Sequence, residues 1–182
     1  MVLINVVGFT QVDGAAKVYQ SVAVYGGLIF VEKSKRYVDA DKARRVMSGA
    51  PLQYVGVFQN HSVQEIASVA NDLGLAAVQL HGDEDQTFVD TLKAALPEQC
   101  QIWKAYGVIA KAPQLLEQHI NRHLLDSKVG NQSGGTGVTF DWSLIGEEKN
   151  VMLAGGPSPE NVRDAENMGC LSLATTAGCD RL

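Results

Sequence analysis

The feature that most restricts this chain is its rhythm. Short apolar, β-branched runs alternate with amphipathic stretches, and many of the runs stop at a glycine or a polar residue. The runs are Leu3–Val7, Val24–Val31, Gln53–Phe58, Ala76–Leu80, Gln101–Ala105, Ile120–Leu125, Val151–Ala154 and Cys170–Thr175. Runs this apolar suit strands covered on both faces, as in a parallel sheet. Seven helices are expected between them. Thr10-Gln11-Val12-Asp13 and Ser62-Val63-Gln64-Glu65 have the form of capping boxes, opening helices to Val22 and Leu73. Asp39–Ser48 and Glu84–Leu96 read as two more helices, the latter stopped by Pro97. Pro113–His119 reads as a short helix, and Asp141–Ile145 as a turn or two. Ser158-Pro159 reads as an N-cap with proline at the first helical position of a helix running to Met168.

Strand alternating with helix implies right-handed crossovers, and eight such units imply a closed (β/α)8 TIM barrel. An open doubly wound sheet is the structural alternative, and the count of eight favours the barrel. After the eighth run only Thr176–Leu182 remain, too short for an eighth helix. The expectation is therefore an α/β barrel lacking that helix, formed by residues 1–182 as a single domain.

In such folds the residues at the carboxyl ends of the strands face the ligand. Asp126 ends the run His123-Leu124-Leu125-Asp126 and is followed by the glycine loop Gly134-Gly135-Thr136-Gly137. It is either a catalytic carboxylate or an ordinary cap for the next turn. Arg36, in the basic loop Lys33-Ser34-Lys35-Arg36, is either a site cation or a solvated charge. Gln79 and His81 close the fourth run and would line the pocket, although His81 equally suits a structural role. Gly155-Gly156 after the seventh run, and Thr176-Ala177 after the eighth, could offer bare backbone N–H groups to a phosphate.

Composition narrows the class. A net charge of −5 argues against nucleic acid as the main partner. No apolar run approaches the roughly 20 residues of a membrane span, and Met1–Val7 lacks the basic leader of a signal peptide. Three unevenly spaced cysteines fit a reduced, cytoplasmic setting, with neither a metal-ligand pattern nor a cofactor expected.

Several segments together resemble phosphoribosylanthranilate isomerase, the (β/α)8 enzyme of tryptophan biosynthesis. They are Val24-Tyr25-Gly26-Gly27-Leu28-Ile29-Phe30, Ser34-Lys35-Arg36-Tyr37-Val38, Tyr54-Val55-Gly56-Val57-Phe58 and Val78-Gln79-Leu80-His81-Gly82-Asp83-Glu84. Ile102-Trp103-Lys104-Ala105, Leu125-Asp126, Gly134-Gly135-Thr136-Gly137, Phe140-Asp141-Trp142 and Leu153-Ala154-Gly155-Gly156 continue the match in order. The wording is closest to the type fused to indole-glycerol-phosphate synthase.

The resemblance implies an Amadori rearrangement of an aminoaldose phosphate to an aminoketose. Asp126 matches the family's general acid and Arg36 its substrate-positioning arginine. Gln79, His81, Gly134 and Gly135 would contact substrate, with phosphate at Gly155, Gly156, Thr176 and Ala177. The family's base is a cysteine in Val-Cys-Gly-Leu-Thr, and here that stretch reads Val6-Val7-Gly8-Phe9-Thr10. Val7 therefore marks the position of the missing base, with Cys179 a distant substitute and Cys170 expected at the wrong end of its strand. Ala174 stands where the family has an aspartate, and Val22 where it usually has a glycine. The alternative is a catalytically silent barrel that binds a phosphorylated ligand or a protein partner. The uncovered seam beside the eighth strand would suit a homodimer or a partner domain.

Overall fold

The computed structural model describes residues 3–11, 25–108, 113–129, 132–133, 150–154 and 172–175. Eight parallel strands form a closed ring: β1 (Leu3–Val7), β2 (Tyr25–Ile29), β3 (Gln53–Phe58), β4 (Ala77–Leu80), β5 (Gln101–Val108), β6 (Arg122–Val129), β8 (Val151–Ala154) and β9 (Ser172–Thr175). Strand β7 (Gln132–Ser133) is a short antiparallel addition to β6. The ring closes because β1 pairs with β9 and β5 with β6. Followed once round, the register returns to β1 eight residues out of step. That is the shear of a TIM barrel, and it excludes the open-sheet alternative.

Three helices are described: α1 (Ala40–Met47), α2 (Val63–Leu73) and α3 (Gln86–Ala95). Each starts where a short polar side chain takes an otherwise orphaned backbone N–H. Asp39 Oδ1 accepts from Lys42 N at 2.7 Å. Ser62 and Glu65 form the expected reciprocal box, with Ser62 N donating to Glu65 Oε2 at 2.8 Å and Glu65 N to Ser62 Oγ at 3.3 Å. Asp85 Oδ1 accepts from Phe88 N at 2.9 Å. Helix α3 thus begins after Glu84, inside the expected helix Glu84–Leu96.

The alternation of side chains along each strand builds two cores. Leu28, Val78, Leu80 and Ile102 face outward onto Val46, Ile66, Val89 and Leu92 of the helices. Tyr25, Val55, Ala77, Trp103, Leu124 and Met152 fill the barrel. Near the amino ends of the strands, Tyr25 and Trp103 meet edge to face with centroids 5.0 Å apart. The Arg122 guanidinium lies 5.5 Å from the Trp103 centroid and 5.8 Å from that of Tyr25. Cation–π contact lets a charged group sit against this aromatic floor.

The expected helix over Pro113–His119 does not form. Leu116 N donates to the Tyr106 hydroxyl at 2.9 Å, and Gln118 N donates to Gln86 Oε1 at 3.3 Å. These donors go to side chains of β5 and α3 instead of to helical carbonyls, and His119 has φ 62. Strands β5 and β6 also run further than expected. Asp126 is therefore inside β6, which continues to Val129 and pairs antiparallel with β7. The expected helices over 10–22, 141–145 and 158–168 lie outside the described residues.

Candidate active site

Carboxyl ends of parallel strands form the mouth of the barrel. Asp126 lies two residues beyond Leu124, on the same inward face of β6. In register it is flanked by Gly107 of β5 and Ala154 of β8.

Across β5 from it, Gln79 is only 1% exposed and extends the inward row begun by Ala77. Its amide nitrogen donates to Nε2 of His81. Its carbonyl oxygen finds no hydrogen-bond partner among the described residues. A buried acceptor without a donor is costly, so this oxygen is suited to a donor brought by a ligand. Burial pushes the His81 imidazole down to about 4, and the nearby Lys104 cation adds to this while Glu84 opposes it. At neutral pH the ring is uncharged, accepts from Gln79 at Nε2, and keeps its proton on Nδ1.

Behind His81 is a polar cluster to which the sequence reading assigned no role. Lys104 Nζ donates to Glu84 Oε2 at 2.9 Å and to the Gly82 carbonyl at 2.7 Å. Glu84 also accepts from Asn60 N at 2.8 Å and Gly82 N at 2.9 Å. The Glu84 and Lys104 side chains are 2% and 5% exposed. Burial alone would raise the Glu84 carboxyl, but the bonds from Lys104 and Asn60 outweigh it and hold the group below its ordinary value. Asp83 N donates to Asn60 Oδ1 at 2.7 Å, tying together the turns after β3 and β4. Gly82 is required there, because a Cβ would lie 2.0 Å from Asn60 Oδ1. The available signal was a lysine inside the apolar strand Ile102-Trp103-Lys104-Ala105, since a buried cation needs an anion.

Arg36 reaches the mouth from the turn after β2. Ser34 N donates to Val31 O at 2.9 Å, Arg36 N to Ser34 Oγ at 3.2 Å, and Val38 N to Ile29 O at 2.9 Å. The chain folds back over the end of β1, where Gly8 has φ 97. A Cβ on Gly8 would lie 2.5 Å from Arg36 Cδ, so only glycine admits the arginine so close. Val7, immediately before it, pairs with Gly27 at the end of β1.

Asp126, Gln79, His81, Arg36 and the backbone of Val7 therefore all belong to the carboxyl ends of the strands. Ala174 pairs in register with Asn5 and Ala154. Gly134, Gly135, Gly155, Gly156, Thr176, Ala177, Cys170 and Cys179 lie outside the described residues, as does Val22. Cys100 is buried at the start of β5, at the opposite end of the barrel, and burial pushes its thiol up to about 11. It is no base for this mouth. No cluster of metal-ligating side chains occurs among the described residues, and no described helix is long and apolar enough to cross a membrane.

Residues 4–180 match the family model for N-(5'phosphoribosyl)anthranilate (PRA) isomerase. The chain is 58% identical over 176 residues to the tryptophan biosynthesis protein TrpCF of Vibrio cholerae, covering 97% of this chain and 38% of that protein. Against the Vibrio parahaemolyticus TrpCF it is 60% identical over 176 residues, covering 97% and 37%. The chain thus spans a little over a third of the length of these curated relatives. In structure it is similar to a phosphoribosyl anthranilate isomerase from Thermotoga maritima, with TM-score 0.80, 31% identity, and 98% of this chain and 90% of that one covered. It is also similar to a phosphoribosyl anthranilate isomerase in complex with reduced 1-(o-carboxyphenylamino)-1-deoxyribulose 5-phosphate, with TM-score 0.78, 29% identity, and 100% and 90% covered.

Proposed function

The chain belongs to the N-(5'-phosphoribosyl)anthranilate isomerase family, and on that premise we propose that it performs the family's Amadori rearrangement in tryptophan biosynthesis. The observation that carries the reading is Asp126, facing the barrel mouth between Gly107 and Ala154. In this reading Asp126 gives a proton to the ribose ring oxygen as the bond from that oxygen to C1 breaks. The nitrogen lone pair forms the protonated imine. Loss of the C2 proton then gives an enamine, whose tautomer is the aminoketose.

Arg36 supplies fixed positive charge for an anionic group of the substrate. Gln79 Oε1 accepts from a substrate N–H or O–H, and His81 holds that amide in place. Gly134 and Gly135 contact the substrate as it binds. Gly155, Gly156, Thr176 and Ala177 hold the phosphate through backbone N–H groups, by the principle that makes glycine turns anion sites. Residues 1–182 act as one barrel domain in the cytoplasm. Its partner is a second copy or a fused synthase domain, a reading supported by the TrpCF relatives.

Val7 has no proton to exchange. General acid–base catalysis by one group contributes roughly 10²–10⁴-fold, so turnover is expected to be slow by that order, with Cys179 the replacement base to examine first. The same valine favours a second reading, a silent barrel that retains phosphorylated-ligand or partner binding. The test is turnover of phosphoribosylanthranilate by the purified chain beside Asp126→Ala. Turnover that the substitution abolishes supports the isomerase. No turnover, with the melting temperature still raised by a reduced product analogue, supports the silent barrel.

A further inference from the structure

We propose that Glu84 and Lys104 are positioning residues for the site: by gripping Gly82 on both sides, they hold the His81 imidazole against the Gln79 amide in the barrel mouth. The Gly82 N–H, part of the peptide that follows His81, donates to Glu84 Oε2 at 2.9 Å. The Gly82 carbonyl accepts from Lys104 Nζ at 2.7 Å. The peptide before His81 is held as well, because its N–H donates to Phe58 O at 2.9 Å. Backbone on both sides of the histidine is therefore tied to strands β3 and β5, at the point where the ring meets the Gln79 amide.

The pair also acts on the ring electrically. Lys104, from β5, opposes a second positive charge on the imidazole, and Glu84, from the turn after β4, favours it. From the β3 turn, Asn60 faces Glu84 and Asp83, while His61 packs its ring edge to face on Phe58. Lys104 and Glu84 are thus opposing influences on one imidazole, both smaller than the effect of burial. The clamp stands on geometry alone. Only the use of the ring toward substrate rests on the isomerase reading.

The experiment is an NMR titration of the histidine ring nitrogens in the full chain without ligand. It compares the wild type, Lys104→Met, Glu84→Gln and the double variant. In the wild type, His81 should stay neutral down to about pH 4. Lys104→Met should raise its titration by about one pH unit or more, while Glu84→Gln should not raise it. Where a single variant fails to fold, the double variant decides, because replacing both partners of a buried pair is tolerated better than removing one. Its His81 should titrate above the wild-type value and lose the Gln79 contact. A wild-type His81 titrating near 6.5, or a value unmoved in Lys104→Met and the double variant, overturns the proposal. The same preparations are assayed for phosphoribosylanthranilate turnover. Shifted titrations without wild-type turnover sink the isomerase reading and keep the clamp. Turnover with unmoved titrations does the reverse.

Discussion

The two ends of this barrel gather different kinds of side chain. At the amino ends of the strands, Arg122 lies against the faces of Tyr25 and Trp103, which meet each other edge to face. At the carboxyl ends, Gln79 has a buried acceptor without a partner among the described residues, and His81 is held uncharged beside a lysine. One end is an aromatic floor that contributes burial. The other gathers an amide, an imidazole and a carboxylate at the strand ends. In a fold whose packed interior runs the length of the strands, stability and chemistry can occupy opposite ends, and substitutions should separate them.

The largest separation is expected from Asp126→Ala. It should lower turnover by roughly 10²–10⁴-fold while circular dichroism shows the fold retained. A loss of folding instead would make Asp126 a structural residue and erase the contrast. Trp103→Ala should act at the other end, costing about 3–5 kcal/mol in denaturant unfolding. The residual folded fraction should keep its ligand affinity.

A pH series between 6.5 and 4.5 tests the mouth. His81 is depressed to about 4, so the unfolded chain takes up a proton below pH 6.5 that the folded chain refuses. Stability should therefore fall as pH drops from 6.5 toward 4, by up to about 1.4 kcal/mol per pH unit. Glu84, also held below its ordinary value, adds a further loss below pH 4.5. His81→Asn should flatten the upper part of this slope, and an unchanged slope would locate the effect elsewhere. Gly8→Ala should have the smallest effect on stability, about 1–2 kcal/mol for a side chain at φ 97. Because the new Cβ displaces Arg36, KM should rise more than kcat falls.

Much of this architecture is legible in the residues themselves. The apolar runs mark the eight strands of the ring, and the Ser62–Glu65 box and Asp39 cap open helices where they are read. Pro113–His119 shows the limit. Its local pattern is helical, yet Tyr106 and Gln86, from other elements, take its backbone donors. The site divides in the same way. Asp126, Arg36, Gln79 and His81 stand out as polar residues after apolar runs. Glu84 reads as the start of a helix and Lys104 as an oddity in a strand.

By itself, the sequence determined the strand and helix periods, the caps and the types of group available at each strand end. These depend on neighbours a few residues away, where periodicity and propensity act. Only the tertiary structure decided that Lys104 meets Glu84, that Arg36 crosses Gly8, and that Asp126 lies level with Gly107 and Ala154. Those meetings follow from the shear of the closed ring, a property of all eight strands at once that no single segment encodes.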